Sequence, residues 1–298
     1  FYPVLSNGRP DLTECNKMIV NFNPDIILFV HYFGEEVFSE ELYDLAQKND
    51  AWLVEDAVHC LKPSLGIGNQ GDFVLYSPHK LLAIPDGGLL VIREQGPSKI
   101  TSNLLEKFNF NEVYDSVINM RQFSNLFTYK WLLKRLIQKL GLHFSHKKII
   151  FNSENEMQDL KKLPHPKMSK LSKKLLSNMT DLDKESENRK NNQKEWNSSL
   201  AKNNILGDDI NIISCHEKYV PYLAIFVASD TAMAEFFFDL LQTSKIPVST
   251  WPDLPPEVVN NSKRHENAIK MRKTRLFLPV HSSLNPEQIK ENMKGFIN

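Results

Sequence analysis

The sequence predicts an α/β protein: the C-terminal part of a large domain on a mostly parallel sheet, then a helical region, then a small α+β domain. Three observations predict it. Short apolar runs alternate with helical patterns through the first hundred residues, which is the rhythm of βαβ units. Between 128 and 200 the chain turns basic, with Lys and Arg outnumbering Asp and Glu by about two to one. After 206 a mixed strand and helix pattern returns. The expected divisions are 1–105, 106–205 and 206–298.

In order, DIILFVHYFG (25–34) opens on a continuous apolar run, expected to be a strand buried on both faces. EEVFSEELYDLAQKND (35–50) sets Phe38, Leu42 and Leu45 at helical spacing, with Ser39 as the expected N-cap. AWLVEDA (51–57), GDFVLYS (71–77) and GGLLVIRE (87–94) are three further strand candidates. WLLKRLIQKLGL (131–142) is a basic amphipathic segment, expected to be a helix packed on its own domain. Residues 168–200 read as one long bridging helix, with Met168, Leu171, Leu175, Met179 and Leu182 on one face. VPYLAIFVAS (220–229), KIPVSTWPDLPPEV (245–258) and TRLFLPVH (274–281) read as strands, the second running into a Pro-punctuated loop. AMAEFFFDLLQTS (232–244) and SSLNPEQIKENMKGFI (282–297) read as helices, the latter capped by Asn285 with Pro286 in its first turn.

Composition narrows the function classes. The 298 residues are 41% hydrophobic and 24% charged, as in a globular protein rather than a disordered or collagenous one. Thirty-six basic residues balance 36 acidic ones, so no global charge draws the chain to nucleic acid or an anionic membrane. No apolar run approaches the ~20 residues that span a bilayer. Cys15, Cys60 and Cys215 form neither a disulfide framework nor a zinc knuckle, so no metal site is expected. A reducing cytoplasm is the expected compartment. The chain begins Phe-Tyr-Pro-Val, and is expected to be the C-terminal part of a longer protein.

Three elements carry chemistry: Asp56 with His59, Ser77 with Lys80, and Asp86-Gly87-Gly88. Taken singly, the Asp is an ordinary helix cap, the Lys a surface charge and the His a packing residue. Together, at the carboxyl ends of parallel strands where α/β ligands bind, they match what pyridoxal phosphate needs. Its aldehyde needs an amine for a Schiff base. Its pyridine nitrogen stays protonated beside a carboxylate. Its phosphate needs hydroxyl and N–H donors, and its phenolic oxygen needs a hydrogen-bond donor. Lys80, Asp56, Ser77 and His59 are of the types that fill these roles.

VEDAVHC followed by GDFVLYSPHKLLAIPDGGLLVIRE resembles the DegT/DnrJ/StrS family of pyridoxal phosphate-dependent sugar aminotransferases, of fold type I, the aspartate aminotransferase-like architecture. HYFGEEVFSEELYDLAQKND is similar to the strand and helix before that family's Asp motif. HPKMSKL (165–171), NRKNNQKEW (188–196) and LFLPVHSSLNPEQI (276–289) resemble its Asn-Tyr-Arg-Met-Ser segment, its interdomain helix and its Leu-Pro-x-His turn. The resemblance implies that Lys80 is the Schiff-base lysine and Asp56 the partner of the pyridine nitrogen. His59 stands where the family often has Gln. Ser77 lies three residues before the lysine, whereas many members have Ser five before, at the place of Leu75. Asp86-Gly87-Gly88 replaces Gly-Glu-Gly-Gly, with Pro85 for the first Gly. His165 and Lys167 replace an Asn and an Arg that reach the partner subunit's cofactor phosphate.

The resemblance further implies transfer of an amino group from Glu or Gln to a nucleotide-linked keto-sugar, in polysaccharide or secondary-metabolite biosynthesis. It implies a homodimer with shared active sites, and a phosphate-cradling loop and a stacking aromatic ring upstream of Phe1. Three alternatives stand beside it. SPHK also fits the S-x-H-K of cysteine desulfurase-like enzymes, for which Cys215 is the one late cysteine. Sugar dehydratases share the fold, although those with His for the lysine are excluded by Lys80. A truncated homologue without catalysis is the third.

Overall fold

The computed structural model describes residues 1–37, 40–93, 125–139, 168–178, 181–202 and 209–294. The first sheet has the order β1-β2-β3-β4, with β1 Ile26–Val30, β2 Trp52–Asp56, β3 Phe73–Tyr76 and β4 Leu89–Ile92. β1, β2 and β3 are parallel and β4 is antiparallel to β3, so the mostly parallel sheet expected from the sequence is present. Helix α1 (Leu12–Phe22) precedes β1, capped by Asp11, whose carboxylate accepts the Glu14 N–H. Helix α2 (Glu40–Lys48) connects β1 to β2, and the expected cap Ser39 and Phe38 lie outside the described residues. Ile19 of α1 and Leu42 and Ala46 of α2 pack with Ile27, Phe29 and Leu53 into the core of this lobe.

Alternation along the strands sorts the sheet into two faces. Phe29, Leu53, Glu55 and Val74 are fully buried on one. Ile26, Leu28, Val54, Asp56, Phe73 and Leu75 share the other, in register with one another, and that face is only partly covered. β1 therefore differs from the doubly buried strand expected, since Ile26 is 57% and Leu28 43% exposed. Helices α1 and α2 supply apolar side chains to one face alone.

The long helix expected over 168–200 is two helices, α5 (Lys170–Asn178) and α6 (Leu182–Lys202). Asp181 restarts the second, its carboxylate accepting the Lys184 N–H at 2.8 Å, which is N-cap chemistry that the apolar count overlooked. Met179 lies outside the described residues. Helix α4 (Asn125–Lys139) covers most of the basic amphipathic segment, and 140–142 fall outside the description.

The second sheet is antiparallel, in the order β5-β6-β8-β7: β5 Ile210–Ile213, β6 Leu223–Ala228, β8 Arg275–Pro279 and a short β7, Ser249–Thr250. Helix α7 (Thr231–Thr243) packs Phe237, Phe238 and Leu241 against it, and α6 adds Trp196 and Leu200. The short α8 (Pro256–Val259) and then α9 (Glu266–Thr274) lead into β8. Helix α10 (Pro286–Lys294) closes the core with Ile289 and Met293. Asn285 caps α10 as expected, and Gln288 returns the bond to the Asn285 N–H, a reciprocal capping box. β5 is apolar but only four residues long, and α9 carries few apolar residues, so neither is read from the sequence.

Helix α6 ties the two lobes together. Asn192 donates to the carbonyls of Val280, His281 and Leu284, which holds the Leu-Pro-x-His turn. Trp196 Nε1 donates to Pro279 O at 2.8 Å.

Candidate active site

Parallel pairing brings the carboxyl ends of β1, β2 and β3 together, with Val30, Asp56 and Leu75 side by side. Asp56 ends β2 on the partly covered face. Its Oδ1 accepts the Val58 N–H at 3.0 Å, which sets the orientation of the carboxylate. Its neighbour Glu55 points the opposite way because strand residues alternate. Glu55 is fully buried and accepts from Gly68, Gln70 and Gly71 N–H and from His31 Nε2, at 2.6 to 3.0 Å. Burial pushes its pKa up, but these four donors outweigh burial and hold the carboxyl below its ordinary range. Of two adjacent acids, Glu55 builds the loop that follows β2 and Asp56 faces the site.

β3 runs into the one-turn helix α3 (Pro78–Leu81), which starts with proline at its first position. That turn presents Lys80, exposed, beyond the strand ends. Partial loss of hydration draws the Lys80 amine below its ordinary pKa, opposed by the negative charge of Asp56. Lys80 and Asp56 therefore share one electrostatic neighbourhood, 24 residues apart in sequence. His59 lies in the same neighbourhood. Burial, and then the charge of Lys80, pushes its pKa down to about 3. The ring is neutral at neutral pH. Its Nδ1 accepts the Phe33 N–H at 3.4 Å, so the proton sits on Nε2, a donor. Tyr222 of the second lobe stacks on this ring at 4.2 Å and 8°.

Ser77, buried, sits at 3.1 Å from His79 Nδ1. The same Nδ1 is 2.8 Å from the Gly87 carbonyl, which can only accept, so Nδ1 carries the proton. The Ser77 hydroxyl hydrogen is then available for another acceptor. Asp86 is turned inward. It accepts the Ser169 N–H at 2.8 Å, and its backbone N–H donates to Ser172 Oγ. Gly87 has φ +121, and a side chain there would strike Met168. Gly87 thus lets the Met168-Ser169 segment of the same chain approach closely. Asp86 and Gly87 anchor α5. Lys167, like His165, lies outside the described residues.

Trp251 packs against Tyr32 and Phe33 at 5.1 and 4.9 Å between ring centres. Burial holds the Cys215 thiol well above its ordinary pKa, the reverse of what a desulfurase nucleophile requires. Among the described residues no cluster of His, Cys, Asp or Glu could hold a metal ion, and no helix is long and apolar enough to cross a membrane.

Sequence reasoning passed over Arg189 and Tyr222. Arg189 is buried in α6 and reaches both lobes, and Tyr222 covers His59. Arg189 lies inside the NRKNNQKEW segment, where a cation three residues before Asn192 and seven before Trp196 is the available signal of an inward stripe.

The donor set fits pyridoxal phosphate. An amine of lowered pKa, a carboxylate beside it, a neutral imidazole offering N–H and an uncommitted hydroxyl match the cofactor's aldehyde, pyridine nitrogen, ring oxygen and phosphate.

A depressed histidine carries a stability signature. His59 unfolded titrates near 6.5 and folded near 3. Between these values the unfolded chain binds the extra proton, so stability is full above 6.5 and is lost as pH falls towards 3. Between pH 6.5 and 4.5, His59→Gln should remove on the order of 2 kcal/mol from the acid-induced loss of unfolding free energy. Urea melts of both proteins at the two pH values check this. An identical loss in both would mean that His59 protonates in the folded chain.

Residues 7–121 match the DegT/DnrJ/EryC1/StrS aminotransferase family. Among solved structures, the sugar aminotransferase Spr1654 of Streptococcus pneumoniae in its PMP form superimposes with a TM-score of 0.65 at 14% identity, over 99% of this chain and 74% of that one. PseC of Helicobacter pylori, an aminotransferase in pseudoaminic acid biosynthesis, gives 0.65 at 14%, over 100% and 72%. A family member from Brucella abortus gives 0.61 at 14%, over 99% and 72%. No curated protein matches the sequence. The structural likenesses establish the fold, that of pyridoxal phosphate-dependent aminotransferases.

Proposed function

We propose that this chain, whose residues 7–121 match the DegT/DnrJ/EryC1/StrS aminotransferase family, is a pyridoxal phosphate-dependent aminotransferase that moves an amino group from Glu or Gln to a nucleotide-linked keto-sugar. The observation that carries the reading is the convergence of Lys80 and Asp56 at adjacent parallel strand ends, each within the other's electrostatic reach. Bound pyridoxal phosphate supplies the electron sink that lets nitrogen leave one carbon and join another.

The chain's own groups do the rest. Lys80 would hold the cofactor through an amine whose pKa partial desolvation draws below its ordinary value. The same amine, at Nζ, would carry the proton that the transfer moves. Asp56, its carboxylate oriented by Val58 N–H, would hold the pyridine nitrogen in its protonated form. His59, uncharged, would offer Nε2–H to the ring oxygen. Ser77 would give its hydroxyl hydrogen to the phosphate. The sugar class of acceptor agrees with the sugar aminotransferases that share the fold. The reading includes a homodimer in which Lys167 serves the partner's phosphate.

A screen of amino donors and keto-sugar acceptors tests it, following the visible band of the cofactor-loaded protein. A donor should bleach the band, a keto-sugar should restore it, and initial rates should give the parallel lines of ping-pong kinetics. The same preparation should have twice the mass of one chain. Restoration by 2-oxo acids alone would move the enzyme to amino-acid substrates, and a monomeric mass would remove Lys167 from the site.

A further inference from the structure

Arg189 is the most enclosed cation of the described chain, 1% exposed. Its ion pair with Glu185, 2.8 Å from Nε, uses one edge of the guanidinium. The other edge has a second task. Nη2 donates to the carbonyl of Leu81 at 2.6 Å, and Nη1 lies 3.4 Å from the carbonyls of both Pro221 and Tyr222.

These carbonyls belong to the two segments that present the site. Leu81 is the last residue of α3, directly after Lys80. Its carbonyl is one of those a helix end leaves without an intrahelical donor. Tyr222 stacks on His59, and its N–H donates to the carbonyl of Phe33, whose own N–H bonds His59 Nδ1. Gly34, next in the chain, lies so close to the Val220 carbonyl that any side chain there would collide. One guanidinium on the connecting helix thus holds the backbone after the lysine and the backbone of the ring over the imidazole. Burial lowers the Arg189 pKa, and Glu185 works against that, so the fork stays charged.

We propose that Arg189 is a positioning residue for Lys80 and His59, a clamp by which the second lobe sets the geometry of the reactive amine. The clamp rests on the reading of Lys80 as that amine. It also explains a buried charge where an apolar residue would pack at lower desolvation cost.

The test uses the full chain free of cofactor, with lysines carrying ¹³C-methyl labels and the Lys80 signal assigned by its absence in Lys80→Arg. Arg189→Gln should raise the Lys80 titration midpoint by at least about one pH unit, as the turn that presents the amine loosens and the amine regains water. Arg189→Lys keeps the charge and loses the fork, so it should also raise the midpoint, by at least half as much. In the loaded enzyme both should lower kcat more than tenfold with KM for the donor within threefold. Where Arg189→Gln does not fold, Glu185→Gln, which loosens the guanidinium without removing it, is read the same way. Unchanged Lys80 titration in these variants, whatever their stability, overturns the clamp. A wild-type midpoint in Arg189→Lys beside a shifted one in Arg189→Gln also overturns it, leaving a charge effect alone. A wild type that takes no cofactor on Lys80 would sink the functional reading instead, and the titration would still decide the clamp.

Discussion

Lys80→Ala is expected to lower turnover by roughly 10⁴-fold or more, about 5.5 kcal/mol of barrier. Arg189, a further described cation with a depressed pKa near the site, is buried and committed to carbonyls. The loss should fall on kcat, because the proposed function gives the same amine both tasks, holding the cofactor and moving the proton. The fold should survive, since Lys80 is exposed and makes no side-chain hydrogen bond or ion pair among the described residues. Steady-state kinetics beside a thermal melt check both halves. Turnover within tenfold of wild type would remove Lys80 from the chemistry, and a collapsed melt would make it structural.

Asp56→Ala comes second. A carboxylate within about 4–6 Å of a cation shifts its pKa by 1–3 units, and each unit is a factor of ten. Without Asp56 the pyridine nitrogen loses its proton at neutral pH, and kcat should fall by about 10- to 10³-fold. Lys80 should still capture the cofactor, so the visible band should persist while turnover drops. Asp56→Asn keeps the bond from Val58 N–H and the shape of the side chain, and separates charge from geometry. Equal losses in the two variants assign the effect to charge. Full activity in Asp56→Asn would make Asp56 a turn former only.

What was legible from the sequence follows from where apolar residues carry the signal. The runs at 26–30, 52–56, 73–76, 223–228 and 275–279 appear as strands because burial there depends on Val, Ile, Leu and Phe. The order Asp56, Ser77, Lys80 marks the candidate site, since strand ends in a parallel sheet collect residues distant in sequence. Helix α6 was the failure. Its inward stripe is Glu185, Arg189, Asn192 and Trp196, mostly polar, so hydrophobic periodicity merged it with α5 and missed the break at Asp181. The same polarity hid Arg189, whose partners are carbonyls from residues 81, 221 and 222 that no spacing rule connects. The Asp86-Gly87-Gly88 element was read as part of the site, yet its buried Asp86 and tight Gly87 serve the docking of Met168 and Ser169. Local sequence does not distinguish a glycine that admits a ligand from one that admits a methionine.

The central claim is that Lys80 is the amine that bonds the cofactor. Full-length protein loaded with pyridoxal phosphate, reduced with borohydride and digested, shows by peptide mass which lysine carries the cofactor. The account predicts the added mass on the peptide containing Ser77-Pro78-His79-Lys80, and none in Lys80→Arg. Label on another lysine, or undiminished label in that variant, would contradict it.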